Sequence, residues 1–174
     1  KAYIHGYDPS EKKRLHDQAN TLVELFHSDT SYSVGSRILE VGCGVGSQTI
    51  TLARKSPNAS FLSIDISEES ISEAREALEM RGLKNVQFLC ADIFNFDIET
   101  ELFDHVFVCH VLEHLSQPEK ALSILQNLIK VGGTITVIEG DHGSTYFYPD
   151  SEEAQKVIQC QVELQNRKGG NANI

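Results

Sequence analysis

Tryptophan, paired cysteines, long apolar runs and an excess of positive charge are all missing from this chain of 174 residues. Its four cysteines (Cys43, Cys90, Cys109 and Cys160) form no C-x-x-C pair, which excludes a disulfide framework and a cysteine-based zinc site. Cys90 and Cys109 fall in apolar, strand-like runs, where a thiol acts as a small hydrophobe. That usage fits a reducing compartment, so a cytoplasmic location is expected. No apolar run approaches the ~20 residues of a membrane span, and the start lacks a secretory pattern. The first residue is Lys1 rather than Met, so a piece trimmed from something longer is expected. Basic side chains number 15 against 25 acidic ones, for a net charge of -10. Such a surface repels phosphate backbones unless basic residues cluster. The densest basic run, Lys12-Lys13-Arg14, lies beside Glu11 and Asp17 and reads as a solvated helix face. Nucleic acid is therefore not expected as a partner.

What is present is an ordinary globular balance, 40% hydrophobic and 23% charged, with no repeat and no low-complexity stretch. One domain over residues 1–174 is expected, with residues 1–36 as an N-terminal helical cap. Asp8-Pro9-Ser10-Glu11 opens the cap helix, whose apolar face is Leu15, Ala19, Leu22, Val23 and Phe26. Strand-like runs then alternate with helical ones. Strands are predicted at 37–41, 60–65, 86–91, 103–109 and 134–139. Ser67 caps one intervening helix and Ser116-Gln117-Pro118-Glu119 forms a capping box on another. The Gly132-Gly133 pair turns the chain into the fifth strand, and a last helix runs from about Ser151 to Arg167. Alternation of this kind implies an α/β fold: an open, doubly wound, mostly parallel sheet with helices on both faces. A ligand of such a sheet sits at the carboxyl ends of its strands.

The densest information lies in Glu40-Val41-Gly42-Cys43-Gly44-Val45-Gly46-Ser47. Glycines let a chain turn sharply from strand to helix and let a ligand lie against bare backbone. A dinucleotide fingerprint, G-x-G-x-x-G/A, would place its third small residue where Ser47 stands, and Gly46 comes one residue early. The spacing E-x-G-x-G-x-G instead resembles motif I of the class I S-adenosylmethionine-dependent methyltransferases, a family with a Rossmann-like sheet of seven strands. The resemblance runs from the first helix to the loop after the fifth strand; the family's last two strands have no counterpart before Ile174.

The resemblance implies S-adenosylmethionine as cofactor and assigns its contacts. Glu40 would orient the methionine end, Gly42, Cys43 and Gly44 would lie beneath it, and Asp65 would take both ribose hydroxyls. A carboxylate has acceptor sites enough for two neighbouring donors. Asp92 would accept from the adenine amine between Ile66 and Ile93, with an Asp that merely caps its own loop as the rival reading. Cys109 would offer backbone to the methionine portion, and Tyr7 would stand near the entrance.

His110-Val111-Leu112-Glu113-His114 also spells H-x-x-E-H, the inverted zinc-protease motif. His110 falls at a strand end rather than on a helix, so no metal is expected. The same segment is similar to the V-L-E-H-L stretch of small-molecule methyltransferases, the ubiquinone and menaquinone biosynthesis enzymes among them. A small-molecule methyl acceptor is the implied partner. Proton removal or substrate contact could fall to His110, His114, His142, Tyr146 or Tyr148, and His110 and His142 are the first choices because histidine titrates near neutrality. Two other classes keep the same glycine turn: a cofactor-binding module without transfer activity, and an NAD-dependent oxidoreductase.

Overall fold

The computed structural model describes residue 17, residues 21–96 and residues 102–174. The start of the cap helix, with Asp8, Leu15 and Ala19, lies outside the described residues; residues 21–27 are helical, with Leu22, Val23 and Phe26 half-buried and His27 buried. Five strands follow: β1 (Arg37–Val41), β2 (Ser60–Asp65), β3 (Val86–Cys90), β4 (Phe103–Cys109) and β5 (Ile129–Ile138). Four helices lie between and after them: α1 (Ser47–Lys55), α2 (Glu68–Glu79), α3 (Pro118–Asn127) and α4 (Glu152–Arg167). The strands form one sheet in the order β3-β2-β1-β4-β5, and every neighbouring pair is parallel. This is the doubly wound α/β arrangement expected.

Period-two alternation on β1 decides the layers. Leu39 and Val41 face a core with Ile64, Val106 and Val108, closed by Ala121 and Leu125 of α3. Ile38 faces the other side, with Phe61 and Phe107, against Leu52 of α1. Phe107 is fully buried and also receives the His27 ring at 5.6 Å, which docks the end of the cap on the sheet. Helix α2 begins as its sequence dictates, because the Ser67 side chain accepts the Ser70 N–H at 3.2 Å. It buries Ile71, Ala74 and Leu78. At the start of α4, Ser151 likewise accepts from the Ala154 N–H.

Three local expectations are corrected. Strand β3 ends at Cys90, not Ala91. Helix α3 has Gln117 at its N-cap with no side-chain cap bond, so Ser116 makes no capping box and Pro118 alone sets the first turn. Strand β5 begins at Ile129 and runs straight through the glycine pair. Phe103 pairs with Ile129 but His105 pairs with Thr134, so the extra length of β5 is taken up in an irregularity there. Gly132 has φ +84°, and a Cβ on Gly133 would stand 2.5 Å from the Asp104 carbonyl oxygen. The pair makes room for a bulge rather than a turn.

Candidate functional site

A parallel sheet brings the ends of all its strands to one edge, and the order here reverses direction between β1 and β4. The segment after β1 crosses that switch point. Its main chain is stitched to β2, with the Gly42 and Cys43 N–H groups both donating to the Ile64 carbonyl at 2.8 and 3.0 Å. Gly42 and Gly44 have φ +69° and +52°, a region L side chains seldom occupy. They differ in what surrounds them. A Cβ on Gly42 would meet Val111 Cγ2 at 2.3 Å, whereas among the described residues nothing lies within 4 Å of one on Gly44. One glycine is a packing necessity; the other faces open space.

Asp65 ends β2 and ties this turn to the next. Its Oδ2 accepts the Gly44 N–H at 2.8 Å and its Oδ1 accepts the Ser67 N–H at 2.9 Å. One bond per oxygen leaves lone pairs on both. Glu40, one residue before the end of β1, is buried and accepts from the Ser63 hydroxyl at 2.6 Å. Burial pushes its carboxyl up to about 7, against the opposing pull of the Ser63 and Thr49 hydroxyls.

Ile66 is 61% exposed beside this turn and presents apolar surface. Ile93 does not mirror it: its side chain is packed into the core among Leu39, Val41 and Leu112, so it flanks nothing in the open. Asp92 caps its own short turn, accepting from the Phe94 N–H and the Asn95 side chain, both at 3.0 Å. The capping rival is thus realised, with acceptor capacity left over. Cys109 ends β4, and burial pushes its thiol up to about 12. Tyr7 lies outside the described residues. Tyr146 and Tyr148 are exposed to solvent at 85% and 88% and do not join the cluster.

His110 and His142 do come together, around a residue the sequence reading passed over. Glu113 is buried, with His110 Nδ1 at 3.7 Å, His114 Nε2 at 3.8 Å and His142 Nε2 at 3.5 Å from its carboxylate. Gln165 of α4 donates to it at 2.9 Å. Burial acts to raise its pKa, but the attraction of the nearby imidazoles, His110 foremost, and the Gln165 bond outweigh this and hold it at about 2. Glu113 therefore strengthens the fold fully above about 4.5, its ordinary value, and that contribution is lost as pH falls toward 2. A Glu113→Gln protein is expected to have a lower urea midpoint than the parent at pH 6, with the gap narrowing by pH 3. A constant gap would sink the assignment.

The zinc-motif geometry is absent from this segment. His110 sits at the strand end with φ +55°, and Leu112–His114 form a 3-10 turn, so the two histidines share no helix face. His110, Glu113 and Glu139 do bring ligand atoms within 4.8 Å of one another, and the Glu139 carboxylate also accepts the N–H groups of Val111, Leu112 and Glu113.

A family model described as a methyltransferase domain matches residues 33–170. The chain belongs to that family. An uncharacterised methyltransferase of Schizosaccharomyces pombe is 31% identical over 134 residues, 74% of this chain and 48% of that protein. Among solved structures, an S-adenosylmethionine-dependent methyltransferase from Aquifex aeolicus superposes with a TM-score of 0.65 at 24% identity, over 89% of this chain and 87% of that one. Coclaurine N-methyltransferase, solved with N-methylheliamine and S-adenosylhomocysteine, gives 0.58 at 24% identity, over 71% and 35%. These structures share the fold. The methyltransferase domain spans about half or less of the length of the first curated relatives it matches. No described helix is long and apolar enough to cross a membrane.

Proposed function

We propose that this domain binds S-adenosylmethionine at the carboxyl edge of the sheet and transfers its methyl group to a small-molecule acceptor. The observation that carries the reading is the join between Gly44 and Asp65: bare backbone facing open space, hydrogen-bonded to a carboxylate with lone pairs to spare. When bound, the cofactor supplies a methyl group already activated on a sulfonium. Glu40 would hold its amino-acid end, Gly42, Cys43, Gly44 and Cys109 would line it with backbone, and Asp65 would take the ribose diol. Ile66 would cover the adenine, Asp92 would accept from it, and Tyr7 would stand at the entrance. Ile93 contributes its main chain alone in this reading. His110 and His142 face the methyl acceptor and would orient it or take its proton. Residues 1–174 act as one domain with 1–36 as its cap. Unpaired cysteines support a cytoplasmic location.

Calorimetry with S-adenosylhomocysteine and with NAD tests the cofactor. Affinity for NAD with none for the sulfur nucleoside would identify an oxidoreductase. Binding without any S-adenosylhomocysteine release, over a panel of amines, phenols and carbon acids, would identify a binding module instead.

The buried Glu40 adds a proton-linked expectation. With a carboxyl at about 7, it is mostly protonated in the free protein at pH 6. Pairing with a cationic amino group requires the carboxylate, so binding should release close to one proton at pH 6 and almost none at pH 8.5. Affinity should rise by up to ~10-fold per pH unit between about 5 and 7. Titrations in buffers of different ionisation heat read the proton directly, and no release at pH 6 would remove Glu40 from the site. The same raised value means that Glu40 opposes folding increasingly from about 4.5 to 7. Glu40→Gln should therefore stabilise the ligand-free protein at pH 8 while weakening binding.

A further inference from the structure

The methyl-acceptor side holds a buried carboxylate for which the reading above has no use. Glu113 comes from the turn after β4, and its partners come from elsewhere. His142 follows β5, and Gln165 lies near the end of α4. His110 and His114 flank it in sequence. At 3.5 to 3.8 Å the imidazole contacts are electrostatic rather than full hydrogen bonds, and the Gln165 bond at 2.9 Å is the short one. The turn itself is set from β5, because Glu139 accepts the N–H groups of Val111 and Leu112 at 3.0 and 2.9 Å.

The two nitrogens of an imidazole are not independent. A carboxylate beside one of them favours the proton there and leaves the other as a lone pair. His110 turns Nδ1 toward Glu113, while its Nε2 is buried with no hydrogen-bond partner among the described residues. The ring rests against Phe26 at 5.6 Å. A buried nitrogen without a partner carries a desolvation cost, and such atoms call for an explanation. His142 turns Nε2 to the opposite oxygen of the same carboxylate at 3.5 Å, but that nitrogen lies nearer the Gln161 side-chain amide, which donates to it at 3.2 Å.

We propose that Glu113 is the positioning residue of the methyl-acceptor side, fixing the tautomer and orientation of the His110 ring. The inference rests on the proposed function for the role of His110, but the placement of its ring can be tested without any methyl acceptor.

One feature of the fold makes the test clean. The C-terminal segment docks on the main-chain carbonyl of Glu113, through the Asn171 N–H at 2.8 Å and the Gln165 side chain at 3.0 Å. Both bonds are accepted by the main-chain carbonyl and not by the Glu113 side chain. Glu113→Gln should move the ring ¹⁵N signals of His110 toward a different tautomer balance while the backbone amide signal of Asn171 keeps its parental position. Affinity for S-adenosylhomocysteine should stay within about twofold. With whichever amine or phenol of the panel is turned over, kcat should fall about 10- to 100-fold and KM by less than threefold either way. Glu113→Asp, which keeps the charge on a shorter arm, should restore part of kcat.

Unchanged ring signals in Glu113→Gln overturn the proposal. So does displacement of the Asn171 amide signal, or failure of both variants to fold, because the role is then structural. Stoichiometric divalent metal in the purified parent protein would overturn it too. If the ring responds as stated but the parent does not bind S-adenosylhomocysteine, the proposed function fails and the ring placement stands.

Discussion

Asp65→Ala is expected to lower affinity for S-adenosylhomocysteine by about two to three orders of magnitude, the largest effect of any single side chain at this edge. Two losses combine. The ribose would forfeit hydrogen bonds to a charged acceptor, each worth about 1.5–3 kcal/mol. The Gly44 and Ser67 N–H groups would also lose the oxygens to which they donate at 2.8 and 2.9 Å. Asp65→Asn separates the two contributions. An amide has a single carbonyl oxygen and adds a donor, so it can satisfy one backbone N–H but not both alongside a diol. Its affinity should fall between parent and alanine. Calorimetry reads both variants, and near-parental binding by Asp65→Ala would mean that the sugar is held elsewhere.

How far the sequence leads depends on how local the cause is. Strands β1, β2 and β4 coincide with their predicted bounds because buried parallel strands announce themselves as short apolar runs between turn residues. Ser67 caps as expected because a cap reaches three residues at most. Where the cause is distant, the reading fails. Gly132-Gly133 signals a turn, yet the Asp104 carbonyl oxygen and the irregular pairing with β4 decide its conformation. Ile93 sits beside an expected adenine site in sequence, but its own short turn swings the side chain into the core. Asp92 caps its own turn and keeps acceptor capacity.

Glu113 is the instructive omission. The signal was present, since a glutamate stands three residues after one candidate histidine and immediately before another. Its meaning was not, because His142 and Gln165 lie far along the chain and nothing local brings them back. The parallel sheet does so, delivering the ends of β4 and β5 to the same edge. The helix after β5 then returns over them, with Gly170 so close to the Glu113 carbonyl oxygen that a Cβ would stand 2.3 Å from it. Candidate histidines can therefore be chosen from residue type alone, but the group that orients them requires topology.

The glycine turn yields the second large effect, and it takes the form of a contrast. Gly42→Ala should destabilise the protein by about 2–4 kcal/mol, lowering Tm by roughly 5–15 °C. An alanine at φ +69° carries left-handed strain of about 1–2 kcal/mol. Its methyl group would also meet Val111 Cγ2 at 2.3 Å, so the turn after β4 must shift. Val111→Ala in the same chain removes that collision and should recover the steric part, leaving the strain; a double-mutant cycle then shows positive coupling. Gly44→Ala should behave in the opposite way. Its φ of +52° is a milder left-handed value, nothing among the described residues lies within 4 Å of the added methyl, and stability should fall by only about 1 kcal/mol. The methyl would instead stand in the space proposed for the cofactor, so affinity for S-adenosylhomocysteine should drop at least ~10-fold, the equivalent of about 1.4 kcal/mol. Thermal melts with and without ligand read both quantities on each protein. If Gly44→Ala bound as the parent does while Gly42→Ala alone lost affinity at full stability, the open face above Gly44 would not be where the ligand lies.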